Sequence, residues 1–298
     1  MVKLYVIIVN YNTGDMLRGN IKQLLELPFI AEVIVVDNFS HDGSIDVIEK
    51  IANLDHRVKF IRNDKNVGFA KACNIAVSHA GESEYLLFLN PDCRIDNYSL
   101  EKLMGSMKDD PGAGMAGPLL LNPDGTEQPG GRRAVPTPWR SFVRSFGLYK
   151  LGNCYPKLFN DFQLHKEPLP DAPVEVEAIS GACMMVRRST LESVGFLDEG
   201  YFLHCEDLDW CMRFRQKGWK IMFVPKAKAI HCQGTSSGGR PIFVEWHKHK
   251  GMARFYNKFF RHQYPSVLMW LVMAGIWLRF IAKSIYLGAQ KIQNKLKA

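Results

Sequence analysis

Short apolar runs alternate with stretches of helical periodicity through the first part of the chain. Residues 4–9 form a β-branched run that ends in Asn10-Tyr11-Asn12, and residues 13–27 carry apolar positions at helical spacing. Residues 32–36 repeat the strand pattern and stop at Asp37-Asn38. Ser40, Asp42, Gly43 and Ser44 then supply turn and N-cap chemistry for a helix through Leu54. A strand over 58–61, a turn at 66–68, a helix over 69–79 and a strand over 85–89 continue the series. The last of these, YLLFL, is too short for an independent helix, so it reads as a strand buried on both faces. Alternation at this spacing predicts right-handed βαβ crossovers, hence an α/β fold with a mainly parallel central sheet flanked by helices.

Further along the pattern loosens. A helix is predicted over 99–107 and an apolar run follows over 114–121, after which 122–173 is rich in Gly and Pro and reads as a long surface excursion. Regular elements resume with a strand over 174–186, a short helix over 189–194, a helix over 204–217, and short strands over 219–225 and 227–230. A helix over 243–260 precedes a 16-residue stretch without charge, 263–278. That stretch is shorter than the roughly 20 residues a helix needs to cross a bilayer. The organisation expected is one catalytic domain over 1–240 and a helical extension over 241–298.

Charge changes the picture for the extension. The chain carries a formal net charge of +8, yet residues 210–298 hold 17 Lys or Arg against a single acid, Glu245, and the rest is net acidic. A basic helix followed by an apolar one with Trp270 and Trp277 suits an anionic membrane surface, and docking on the core or on another subunit is the competing reading. The acidic front argues against a nucleic-acid groove there. Seven cysteines without a C-x-x-C pair, and an N-terminus that reads as a strand, suggest reduced thiols in a cytosolic protein. Cys205, Cys211, His231 and Cys232 match no ordinary zinc spacing.

Candidate chemistry sits at the predicted strand ends. In open α/β sheets ligands bind beyond the carboxyl ends of the strands. Asp92, in Asn90-Pro91-Asp92, is a candidate cation ligand or a turn former; Asp37 is a candidate acceptor for a nucleobase N–H or likewise a turn former. Glu206-Asp207-Leu208-Asp209 opens a helix, where a carboxylate is stabilised as an anion, and the same acids also suit a capped, solvated turn. Arg132, Arg133, Arg140 and Arg144 suit phosphates or solvent equally.

The segments VIIVNYN (6–12), VVDNFSHDGS (35–44), NVGFAKACN (66–74), FLNPDC (88–93), SGACMMVRR (180–188), GFLDEGYFLHCEDLDWCMRFRQKGW (195–219) and HCQGTS (231–236) together resemble inverting glycosyltransferases of family 2, with the GT-A fold. Within that family the chain is most similar to rhamnosyltransferases acting on polyprenyl-diphosphate-linked sugars, over about residues 1–260. The resemblance implies a nucleotide-sugar donor, dTDP-linked by expectation, with Asn10, Asn12, Asp37, Asn66 and Gly68 at the nucleotide. It implies a divalent cation, Mg2+ or Mn2+, at Asp92 and His231, and Asp207 as catalytic base. Glu206, Trp210, Arg213, Arg132 and Arg133 are expected near the acceptor or the diphosphate. Asn90 departs from the pattern, since many members carry an acid there. Expected partners are a polyprenyl-diphosphate-linked acceptor and the cytoplasmic face of the cell membrane, with a homo-oligomer left open and no nucleic acid. A sugar nucleotidyltransferase would show a glycine-rich loop with Arg and Lys after the first strand; this chain has Asn-Tyr-Asn-Thr-Gly. A non-catalytic membrane or nucleic-acid binding module would leave Asp37, Asp92, Asp207 and His231 without a purpose.

Overall fold

The expected alternation is realised in the computed structural model, which describes residues 3–155, 158–159, 161–232 and 240–297. In chain order the elements are β1 (Leu4–Asn10), α1 (Asp15–Leu25), β2 (Ile30–Asp37), α2 (Ser44–Leu54), β3 (Val58–Arg62), α3 (Phe69–His79) and β4 (Tyr85–Leu89). There follow β5 (Cys93–Ile95), α4 (Asn97–Asp109), β6 (Ala113–Leu121), β7 (Arg132–Arg133) and α5 (Pro138–Ser145). The remainder comprises β8 (Val174–Glu175), β9 (Ala178–Ile179), β10 (Cys183–Arg187), α6 (Leu191–Val194), α7 (Glu206–Gln216), β11 (Lys220–His231), α8 (Pro241–Phe259) and α9 (Ser266–Lys297).

The chain divides into two compact units, the first formed by Met1–Val135, Phe162–Gly200 and Glu206–Ser236 and the second by Pro136–Asp161, Tyr201–Cys205 and Ser237–Ala298. The first unit is built on a sheet in the order β3-β2-β1-β4-β10-β6-β11-β5, with β8 added alongside β11. The pairs β1–β2, β1–β4, β2–β3 and β6–β11 are parallel, whereas β10 runs antiparallel between β4 and β6. Every residue of β1 and of β4 is buried, as expected for strands covered on both faces. Leu17, Ile21 and Leu24 of α1 and Leu100, Leu103 and Met107 of α4 pack into one core with Val6, Ile8, Leu87 and Leu89. Each such side chain contributes roughly 1.5–3 kcal/mol on burial.

Two strand predictions are corrected. The single strand expected over 174–186 is three short pieces, because each pairs with a different partner: β8 with β11, β9 with β7, and β10 with β4 and β6. The two strands expected over 219–230 are one, β11, whose register against β6 slips between Val224 and Lys228. Pro225 lies in the slip, where its missing N–H costs no ladder bond.

The second unit is helical. Trp246 of α8 packs against Trp277 and Phe280 of α9 at ring separations of 5.3 and 5.5 Å. Here too a length argument is corrected. The uncharged stretch is only part of α9, which continues through Arg279 and Lys283 for 32 residues, and Ser266–Gln293 is long and apolar enough to cross a bilayer by length and composition.

Candidate active site

Because β1, β2, β3 and β4 are parallel, their carboxyl ends share one edge, and Asn10, Asp37 and Arg62 stand side by side in register. The loops leaving these strands are stitched together by amides. Asn10 Nδ2 donates to Asp37 Oδ1 (2.7 Å) and Ser44 Oγ (2.8 Å). Asn12 accepts from His41 N–H at 2.7 Å and itself takes a positive φ, which asparagine tolerates. Asn38 Nδ2 donates to Asn66 Oδ1 (2.9 Å), Asn66 Oδ1 accepts from Gly68 N–H (3.0 Å), and Gly68 has φ +88°, a conformation suited to glycine. The five residues expected at the nucleotide are therefore neighbours in one network. Asp37 has a second job within it: its fully buried carboxylate also accepts from Phe39 and Ser40 N–H at 3.1 and 3.0 Å. That anchoring of the loop competes with the expected base contact.

Asp92 and His231, 139 positions apart in the chain, are brought together because β5 pairs with β11 and sets His231 opposite Cys93. His231 Nε2 lies 3.3 Å from Asp92 Oδ1 and 3.4 Å from Asn90 Nδ2. Among the described residues no group of three or more His, Cys, Asp or Glu is arranged to hold a metal. The donor chemistry nevertheless fits a divalent cation. Gln128, which sequence reasoning missed, is buried, and its Nε2 donates to Asn122 Oδ1 (3.0 Å) and to the His231 carbonyl (3.2 Å). Its Oε1 therefore faces His231 Nδ1 at 2.7 Å and accepts that proton, which leaves the Nε2 lone pair directed toward Asp92. Asn20, also missed, donates to the Cys93 carbonyl at 2.9 Å and so braces the Asn90–Cys93 turn from α1. The zinc alternative finds no support in Cys211, whose thiol is buried beside Met115 and pushed up to about 12 by that burial.

The first turn of α7 separates its three acids by environment. Glu206 is buried, with Oε2 lacking a hydrogen-bond partner, and desolvation, with help from the Asp207 charge, raises its pKa to about 8. Asp209 is fully buried against Arg213 (2.7 Å). Asp207 pairs with Arg133 and accepts from Gly181 N–H (3.1 Å) and Leu208 N–H (2.8 Å). Arg133 reaches it from β7, which pairs with β9 just before Gly181. A Cβ on Gly181 would stand 3.3 Å from the Asp207 Cβ, so a small residue suits this approach.

Three residues expected near acceptor or diphosphate face elsewhere. Arg132 is buried in a two-pronged ion pair with Glu127 and donates to the carbonyls of Glu167 and Pro168. Trp210 is a core residue, edge-on to Phe88 at 5.1 Å with its indole N–H donated to the Gly195 carbonyl at 3.0 Å. Arg213 spends its other nitrogens on the carbonyls of Val194 and Phe196, both at 2.7 Å. Trp210 and Arg213 thus fix α7 against the segment that precedes it by about ten residues, which serves Asp207 indirectly.

The Glu206 environment has a measurable consequence. Its folded pKa lies above the unfolded value of 4.5, so the folded state holds the proton more tightly. The stability this confers is complete below about pH 4.5 and is lost as pH rises toward 8, with a slope of roughly 1.4 kcal/mol per pH unit as an upper bound. Glu206→Gln is expected to flatten chemical-denaturation stability between pH 5 and 8; an unchanged slope would show that another group controls it.

A mainly parallel α/β sheet with these polar loops at one edge, an Asp–His pair beside them and a carboxylate at a helix start defines the GT-A class of glycosyltransferase fold. Residues 5–195 match the family model described as "Glycosyl transferase family 2", and the chain belongs to that family and is a glycosyltransferase. Both the nucleotidyltransferase and the non-catalytic alternatives are thereby set aside. The chain is 28% identical over 288 residues to the N-acetylglucosaminyl-diphospho-decaprenol L-rhamnosyltransferase of Mycobacterium tuberculosis, covering 93% of this chain and 91% of that one. It is 27% identical over 237 residues to the dTDP-rhamnosyl transferase RfbF of Shigella flexneri, covering 78% and 70% respectively. Among solved structures, the mannosyltransferase of Pyrobaculum calidifontis in complex with GDP-Man and Mn2+ aligns with a TM-score of 0.58 at 15% identity, covering 99% of this chain and 81% of that one; this likeness concerns the fold.

Proposed function

We propose that the protein transfers rhamnose from dTDP-rhamnose to a polyprenyl-diphosphate-linked saccharide, with inversion at the anomeric carbon, at the cytoplasmic face of the cell membrane during surface polysaccharide synthesis. The observation that carries this reading is similarity along nearly the whole chain to an enzyme named for rhamnosyl transfer onto a decaprenyl-diphosphate sugar. The Asn10–Asp37–Asn66 network forms the nucleotide side, with Asp37 setting the loop that meets the base.

In the displacement, the acceptor hydroxyl oxygen forms a bond to the anomeric carbon as the bond to the nucleoside diphosphate breaks on the opposite face. Its proton passes to the Asp207 carboxylate, and the nucleoside diphosphate leaves with the bonding electrons. Asp207 exchanges its Arg133 partner for the acceptor hydroxyl, and the planar guanidinium turns to phosphate oxygens, which match it as well as a carboxylate does. Buried Glu206, neutral near pH 7, adds no second negative charge to compete for that arginine. A divalent cation at Asp92 and His231 would supply Lewis-acid stabilisation of the leaving diphosphate. Among the described residues Asp92 and His231 are the side chains that would hold it, and Asn90 in place of an acid reduces the negative charge at the site.

A donor screen with a synthetic polyprenyl-diphosphate acceptor tests the reading. Product is expected from dTDP-rhamnose with Mg2+ or Mn2+ present and not after EDTA treatment. Turnover of another sugar nucleotide in preference would overturn the donor assignment, and full activity in EDTA would remove the cation.

A further inference from the structure

The second unit holds a feature that the transfer reaction does not use. It carries 15 Lys or Arg against two acids, Asp161 and Glu245, whereas the first unit carries 23 against 28. Within it α5 presents Trp139 and Phe142 at i and i+3, hence along one face, Phe146 follows as the residue that caps the helix C-terminus, and these side chains are 45%, 45% and 69% exposed. Their rings form a continuous ridge, with centroids 5.6 Å apart for Trp139–Phe142 and 4.6 Å for Phe142–Phe146. The ridge is held in place, since Trp139 donates its indole N–H to the Leu158 carbonyl at 2.7 Å and Thr137 caps the helix by accepting from Arg140 N–H. Tyr155 and Leu158, 60% and 56% exposed, extend the apolar surface. From the inner side of α5, Ser141 hydrogen-bonds the buried Tyr256 hydroxyl of α8 at 2.6 Å, and α8 in turn carries α9.

Exposed aromatic surface of this extent calls for an apolar partner. A second copy of the chain would bring another strongly cationic unit against this one, which like-charge repulsion opposes. An anionic bilayer satisfies both requirements, because aromatic rings settle at headgroup depth while Lys and Arg meet the lipid phosphates. We infer that the α5 ridge is a membrane-contact element in its own right, inserting Trp139, Phe142 and Phe146 into the interface of an anionic leaflet and adding to the contact made by α9. This rests on the proposal that the enzyme works at a membrane face.

The test is flotation of the full chain with vesicles of phosphatidylglycerol and phosphatidylcholine, and of phosphatidylcholine alone. Three proteins are compared: the native chain, Trp139→Ser/Phe142→Ser/Phe146→Ser, and Trp270→Ser/Leu271→Ser/Leu278→Ser on the exposed side of α9. The ridge variant, its melting temperature checked, is expected to bind the anionic vesicles about 100-fold more weakly than the native chain. The single variant Phe142→Glu should show a smaller loss in the same direction. Equal binding of native and ridge-variant chains, with loss confined to the α9 variant, overturns the ridge and leaves the membrane reading intact. No binding by the native chain overturns both. A change of oligomeric state in the ridge variant with vesicle binding unaltered assigns the surface to a second copy instead.

Discussion

Asp207→Asn is expected to lower kcat by about 10³-fold while leaving KM for the nucleotide sugar within about twofold, since a positioned general base is worth roughly 10²–10⁴ in rate. The substitution is close to isosteric and keeps one carbonyl oxygen to accept from Gly181 or Leu208 N–H, so the start of α7 remains in place. What it removes is the ability to take a proton, together with the charge that holds Arg133. The companion substitution Arg133→Gln separates these effects. It leaves the base present but deletes the guanidinium proposed for the phosphates, and its cost is expected chiefly in KM for the lipid-linked acceptor. Initial rates over a matrix of donor and acceptor concentrations measure both. Wild-type turnover by Asp207→Asn would eliminate Asp207 as the base, and a loss confined to donor KM would reassign it to nucleotide binding.

The second large effect concerns the Asp92–His231 pair. Deleting either side chain, as Asp92→Ala or His231→Ala, is expected to weaken Mn2+ binding in the presence of dTDP by about 10²-fold or more and to lower kcat in step, because each is one of the two side chains proposed to hold the cation. Gln128→Leu should weaken binding by about 10–100-fold without touching the metal, through loss of the acceptor that keeps the proton on His231 Nδ1. Gln128→Glu retains that acceptor and should recover part of the affinity. Electron paramagnetic resonance of free Mn2+ reads binding directly, and 15N shifts of His231 in metal-free protein report the tautomer separately. Undiminished Mn2+ binding by both ligand variants would remove the cation from this site. A protonated Nε2 in the native chain would remove the role of Gln128 alone.

Much of this architecture was legible in the sequence because it depends on local pattern. The β1–β4 alternation follows from runs of buried β-branched and aromatic residues, and parallel pairing then places the ends at Asn10, Asp37 and Leu89 on one edge. The approach of His231 to Asp92 required the family resemblance, since their pairing is made by β5 and β11, elements far apart in the chain. What escaped was orientation. Trp210 and Arg213 lie close to Asp207 in sequence, but spacing does not say which neighbours a helix face meets, and these two face the core and the Val194–Phe196 carbonyls. Arg132 and Arg133 are adjacent on a strand and so point to opposite sides, one toward Glu127 and the other toward Asp207. Gln128 lay in an irregular stretch without periodicity to mark it. Asn20 did leave a trace, as a lone amide on the stripe Leu17, Asn20, Ile21, Leu24 that α1 buries. Residues 233–236 of the HCQGTS segment lie outside the described residues.

The environments of Glu206, Asp207 and Asp209 resolve a question that the string Glu-Asp-Leu-Asp leaves open. Three carboxylates in one helical turn would repel each other and blur any assignment of a base. Burial keeps a proton on Glu206, and Arg213 neutralises Asp209. Asp207 is thus the acid of the turn that an arginine from another element holds at the Gly181 backbone.

The stereochemistry of transfer tests the central claim most directly, because a single displacement with Asp207 as base permits one outcome only. Proton NMR of the purified disaccharide-lipid product, made from dTDP-rhamnose of defined anomeric configuration, should show the new glycosidic bond in the opposite configuration. A product that keeps the configuration of the donor would contradict the single inverting displacement and the role given to Asp207.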